Sequence, residues 1–159
     1  FIKHLRNDLI TQNLGGGKSM SYEIKFEQLN VGWNAEPNSP ELKIEVVNND
    51  VVIEFYLNTF MFESFLEGNK GRLVFHNCLQ YRIGLPNDES FFCYGQSRFK
   101  KYGVQWGEFY LVHNSNWEIE FPNPIKVGNT DTKMNHYLFY FKDETFECIA
   151  SDYSVEFYR

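Results

Sequence analysis

The chain has 159 residues, one domain's worth, and its 43% hydrophobic against 23% charged residues exclude wholesale disorder. With 16 Phe, 10 Tyr and 3 Trp it is 18% aromatic, a composition that suits pleated strands. The net charge of −6, with no basic patch beyond Arg98-Phe99-Lys100-Lys101, repels a phosphate backbone, which disfavours nucleic acid and favours a cationic protein partner.

Cys78, Cys93 and Cys148 are too few and too scattered for a disulfide framework. No apolar run reaches membrane-spanning length and no signal-peptide pattern appears, so a cytoplasmic location without membrane contact is expected. Residues 1–19 differ in character from the rest of the chain. Ile2, Leu5 and Leu9 keep a helical stripe, Leu14 leaves it, and Gly15-Gly16-Gly17 forms a tether. A flexible or weakly helical appendage is expected there, the alternative being a helix packed on the domain, and Met20 is a candidate natural start. Residues 20–159 read as a single β domain. The Gly-Lys-Ser after the tether lacks phosphate-loop spacing.

From Met20 on, short alternating segments succeed one another. Tyr22, Ile24 and Phe26 alternate with charged neighbours, as in a half-buried strand, and residues 33–40 carry loop chemistry with two prolines. In LKIEVVNNDVVIEFYL, a turn at Asn48-Asn49 opposes Val46 to Val51 and Ile44 to Ile53 on one face. The same register sets Lys43 against Glu54 on the other, and a one-residue slip would ruin both faces. Phe62, Phe65 and Leu66 suit a single helical turn ended by Gly68. RLVFHNCLQYRIG reads as one long or two short strands, and Pro86-Asn87-Asp88-Glu89 as a turn. WGEFYLVHNSNWEIEF fits a hairpin turning at Asn114-Ser115, with Val112 opposite Trp117 and Tyr110 opposite Ile119.

In HYLFYFKDETFECIA, residues 136–150, a turn at Asp143-Glu144 predicts Phe141 opposite Phe146, Phe139 opposite Cys148 and Tyr137 opposite Ala150. The other face pairs Tyr140 with Glu147 and His136 with Ser151. Cys148 and Glu147 then point to opposite faces, so the dense polar set reads as scaffold rather than as a catalytic cluster, with acids facing water. SVEFYR closes the chain as a strand. The sum is an all-β fold: an antiparallel sandwich or strongly curved barrel-like sheet of about 9–11 short strands with at most one short helix.

The motif in residues 136–150, a His-Tyr strand leading through Asp-x-Thr into Phe-Glu-Cys-Ile-Ala, resembles a C-terminal signature of short, largely uncharacterised bacterial all-β proteins. Ile83-Gly-Leu-Pro-Asn-Asp-Glu89 and the strand from Glu108 into Asn114-Ser115-Asn116-Trp117 are similar to stretches of the same group. The likeness spans residues from about 70 to 150. It departs at Tyr94-Gly-Gln-Ser-Arg-Phe99, where the group has a His-Pro-Leu-Tyr-like segment. Such proteins look like the immunity-type partners carried beside polymorphic toxins. The resemblance implies a protective binding role and carries over no catalytic residue.

Candidate chemistry is sparse. Glu108, Glu118, Glu120 and Glu147 can supply a carboxylate pair for acid–base work on a sugar, but solvent faces of strands account for them equally well. Gly95-Gln-Ser-Arg-Phe99 fails as a nucleophile elbow at its last position. His76 and Cys78 make at most half of a zinc site, so neither a metal nor a cofactor is expected. The expectation is an acidic, non-catalytic protein-binding module, an immunity-type inhibitor, with contacts at Asp88, Glu89, Glu108, Glu118, Glu120, Glu147, Trp33 and Trp106. The alternative is a small-ligand or carbohydrate-binding β domain, or a hydrolase derived from one, using exposed aromatics such as Trp33, Trp106 and Trp117.

Overall fold

The computed structural model describes residues 22–95, 97–129 and 133–159; the appendage expected at residues 1–19, and Met20, lie outside them. In chain order the elements are β1 (Lys25–Gln28), β2 (Lys43–Val47), β3 (Asp50–Tyr56), β4 (Lys70–His76), β5 (Gln80–Gly84), α1 (Asp88–Cys93) and a 3-10 helix (Lys100–Tyr102). They continue with β6 (Phe109–His113), α2 (Trp117–Glu120), β7 (Ile125–Lys126), β8 (Asn135–Tyr140), β9 (Thr145–Ala150) and β10 (Asp152–Tyr158). The strands form two antiparallel sheets, one ordered β1-β6-β8-β9-β5-β7 and one ordered β10-β4-β3-β2. The fold is thus an all-β sandwich, with two short α-helices where at most one was expected. Among the described residues no helix is long and apolar enough to cross a membrane.

The β2–β3 hairpin has the predicted register, Lys43 opposite Glu54, Ile44 opposite Ile53 and Val46 opposite Val51, and Asn48 takes the positive φ (55°) that the tight turn needs. On the outward face, Glu156, Arg72, Glu54 and Lys43 stand in one cross-strand row of alternating charge. Arg72 reaches Glu156 at 3.1 Å and Glu54 at 3.8 Å, as suits a face in water. The inward face, with Val51, Ile53, Phe55, Leu73 and Phe75, packs on Phe109, Tyr137, Phe139, Phe146 and Cys148 of the larger sheet.

Two neighbouring connections pass between the sheets at a shared corner. RLVFHNCLQYRIG is two strands, β4 and β5, in different sheets, and β9 likewise gives way to β10. Asn77 has φ 47°, and Ser151 N–H donates to His76 O at 3.0 Å. Leu79 N–H donates to Ile149 O at 2.8 Å, so both crossings are stitched together by backbone bonds.

The larger sheet is buried on both sides. Its outer face carries Leu138, Tyr140, Tyr110 and Val112, which pack under a cap containing Phe91, Phe99 and Val104, with Trp106 partly buried beside them. This explains two departures from expectation. First, β8–β9 is shifted by two residues: Phe139 opposes Phe146, Tyr137 opposes Cys148 and Leu138 opposes Glu147. Phe141 leaves the ladder to pack on Phe139 and Phe55, at ring separations of 4.2 and 5.5 Å, which lengthens the loop to residues 141–144. A shift of two preserves parity, so the predicted faces stand. Second, β6 pairs with β1 on one edge and β8 on the other, leaving no slot for a hairpin partner; Trp117–Glu120 coils into α2 instead.

Smaller differences have local causes. The predicted turn at residues 86–89 is the start of α1, where the Asn87 side chain accepts from Ser90 N–H at 2.8 Å. After β3, Phe62 N–H donates to Asn58 O at 3.2 Å in one α-turn, while the Asn58 side chain accepts from Phe60 and Met61 N–H. Gly71 lies beneath the Phe55 ring: a Cβ there would come within 2.7 and 2.8 Å of ring carbons. Gly71→Ala is therefore expected to lower unfolding stability by about 1–3 kcal/mol, read as an earlier urea midpoint. An unchanged midpoint would show that Phe55 gives way freely.

Candidate functional site

The outer face of β8, β9 and β5 brings together three ionisable groups that local sequence patterns keep apart. Arg82 on β5 stands directly opposite Glu147 on β9, and His136 on β8 lies diagonally from it. The loop between α1 and the 3-10 helix adds Arg98. Glu147 Oε1 accepts from Arg82 Nη1 at 2.7 Å and Arg98 Nη2 at 2.6 Å; Oε2 accepts from Arg98 Nη2 at 2.5 Å and His136 Nε2 at 2.9 Å. An ionised carboxylate only accepts, so His136 carries its proton on Nε2. Its Nδ1 is buried without a hydrogen-bond partner, and the Phe99 and Phe121 rings flank it at 6.0 and 5.7 Å.

Glu147 and His136 are each 2% exposed; the Arg82 and Arg98 side chains are 12% and 34% exposed. Burial opposes the charge on Glu147, yet the hydrogen bond and electrostatic attraction of His136, with those of Arg98, outweigh it and hold the carboxyl down at about 2. The group therefore stays ionised at neutral pH, with about four acceptor positions all engaged. It is unsuited to abstracting or delivering a proton. The arrangement instead fastens the cap to the sheet. Arg98 Nη1 also donates to Glu120 O at 3.1 Å, and Arg82 Nη2 to Leu85 O at 2.6 Å.

Beside these ions is a cleft of about 260 Å³ whose walls include Leu85, Pro86, Phe99, Pro122 and Leu138. Ser97 and the Tyr140 hydroxyl also line it, 3.1 Å apart. Burial pushes the Tyr140 phenol well up, so it remains a proton donor.

The chain matches no family model, no curated protein and no solved structure.

The structure places the sequence-derived candidates in different settings. Asp88 and Glu89 occupy the first turn of α1, and Glu118 and Glu120 are exposed on α2. Glu108 accepts from Gln28 at 3.0 Å and from the Asn30 side chain. Glu147 is a correction: the expectation that acids face water fails where three cationic or protonatable groups converge on one carboxylate. Trp33 is another. Although in a loop, it is 6% exposed, stacked 5.9 Å from Phe55 in the core, and unavailable to a ligand. Trp106 is half-buried, 4.8 Å from the Tyr140 ring.

Cys148 faces inward as predicted, and burial beside Cys78 pushes its thiol up. His76 instead bonds Asp50 at 3.2 Å and Ser154 at 3.1 Å on the outer face of the smaller sheet. Among the described residues no group of three His, Cys, Asp or Glu is placed to hold a metal.

The sequence reading missed Arg82, Arg98 and His136. The signal for His136 was present: it shares a face with Glu147 in any register of the right parity. The two-residue shift is what moves them from separate positions along the hairpin into contact.

Proposed function

We propose that the chain is a non-catalytic protein-binding module that receives a cationic protein on the cap of the larger sheet, as an immunity-type inhibitor receives a toxin. The observation that carries this reading is the cap's outer surface. Leu85, Phe92, Tyr94 and Ile119 are exposed there, Ile119 by 82%, in the same layer as Asp88, Glu89, Glu118 and Glu120. Exposed apolar side chains beside charged ones are features of a protein interface, and the net charge of −6 favours a basic partner for the chain as a whole, the cap carrying Arg98, Lys100 and Lys101 beside its four acids. Fastening by Arg98 and Glu147 gives this surface a fixed shape before association, which reduces the ordering cost of binding. The three cysteines are free, a state that a reducing bacterial cytoplasm maintains.

The test is an affinity pull-down from the source cell with the native chain and with the variant Glu118→Lys/Glu120→Lys. A basic protein recovered in equal ratio by the native chain, and lost at least tenfold by the variant, is the expected result. The association rate should also fall steeply with added salt. Recovery of an acidic partner, or capture indifferent to the charge reversal, would refute the reading.

A further inference from the structure

We propose that the cleft beside Glu147 binds a small organic carboxylate, held through Arg82 and Arg98 with its apolar body against Leu85 and the prolines. The cleft shares Leu85 with the surface assigned to the protein partner but does not depend on that assignment.

Charge balance comes first. Two guanidiniums share one carboxylate, so the cluster retains positive charge whichever protonation state His136 adopts. Arg82 holds its share where little solvent reaches, with its side chain 12% exposed. A charge so placed calls for an anion to complete its pairing. Glu147 cannot take further donors, since both of its oxygens already accept two bonds.

Arg82 has donors to offer. A guanidinium carries five N–H groups; Arg82 commits Nη1 to Glu147 and Nη2 to Leu85 O, and its planar fork matches a carboxylate. Hydroxyls extend the donor set. Ser97 Oγ accepts from Phe99 N–H at 3.2 Å and lies 3.1 Å from the Tyr140 hydroxyl. When Tyr140 donates to Ser97, the serine O–H is left to donate into the cleft. Thr145, by contrast, is committed to Pro86 O at 2.6 Å.

The walls and the size then select the body of the ligand. Leu85, Pro86, Pro122 and the edge of Phe99 offer carbon surface, which a hydrated inorganic anion leaves unused. A volume of about 260 Å³ accommodates about nine water-sized groups at ~30 Å³ each, the scale of an aromatic or branched aliphatic acid.

Benzoate is a probe of that size, benzamide its neutral counterpart, and phosphate the inorganic arm. Titrations at about 0.15 M salt, where exposed charges are screened beyond ~8 Å, would follow backbone amide shifts by NMR, with circular dichroism confirming that each variant is folded. Expected are saturable shifts with benzoate at the residues around Arg82, Ser97 and Arg98, and binding at least tenfold weaker with benzamide. Arg82→Lys keeps the charge but loses the fork, and should weaken benzoate about tenfold. Ser97→Ala, which leaves the ion cluster whole, should weaken it several-fold and covers the case in which Arg82→Lys fails to fold. No saturable benzoate binding, saturable phosphate binding without benzoate, or benzoate binding indifferent to folded Arg82→Lys or Ser97→Ala would each overturn the proposal. None of these outcomes bears on the charge-reversal pull-down, so the two readings fail separately.

Discussion

Glu147→Ala should be among the most damaging single substitutions in the protein, costing about 3–5 kcal/mol of unfolding stability. The cost comes from what remains. Without the carboxylate, Arg82 and Arg98 keep their charges under the cap, and His136 loses the partner of its buried Nε2 proton. The double variant Arg82→Met/Glu147→Leu removes charge with charge and should recover part of the loss, because a buried ion pair and a well-packed apolar pair differ little in net stability. Urea denaturation of the four corners of that cycle measures the coupling; additive losses would refute it.

The same carboxyl sets an acid limit. Its folded value of about 2 lies below the ordinary 4.5, so its contribution is fully present above pH 4.5. That contribution, about 3 kcal/mol, drains away as pH falls from there toward 2. Glu147→Gln should flatten the stability curve over this window, and an unchanged slope would show that other carboxylates govern acid unfolding.

Phe139→Ala is expected to cost a comparable amount, about 3–5 kcal/mol, by a different route. Phe139 is fully buried between the sheets, with the rings of Phe141, Phe55, Phe109 and Trp33 at 4.2, 5.3, 5.4 and 6.0 Å. Truncation forfeits the transfer energy of the ring and leaves a void whose walls come from both sheets and the 33–40 loop, so collapse can fill it only in part. Ile119→Ala is the matching control: at 82% exposure it should change stability by no more than about 0.5 kcal/mol. A urea midpoint that barely moves for Phe139→Ala would mean the aromatic layer is more compliant than its packing implies.

Much of this architecture was readable in the residues, and the failures have physical causes. The β2–β3 register was legible because an Asn-Asn turn, apolar pairs and an opposite-charge pair all select one alignment. For β8 and β9 alternation fixed the faces but not the alignment. Both faces are buried, Leu138 and Tyr140 on one and Phe139 and Cys148 on the other, so no solvent-facing charge pair pinned it. Trp117–Glu120 alternates like a strand, but so short a segment cannot display a helical period, and only the two neighbours of β6 decide the matter. The ion cluster was hardest to see. Arg82 and Glu147 are 65 positions apart and meet through the pairing of β5 with β9, which no local pattern announces.

The stitched corner at His76 and Ser151 carries a consequence for how the protein comes apart. Since adjacent strands leave one leaf and enter the other at the same point, peeling either leaf tears backbone bonds belonging to both. The joint therefore favours separation of the two leaves as one event rather than leaf by leaf.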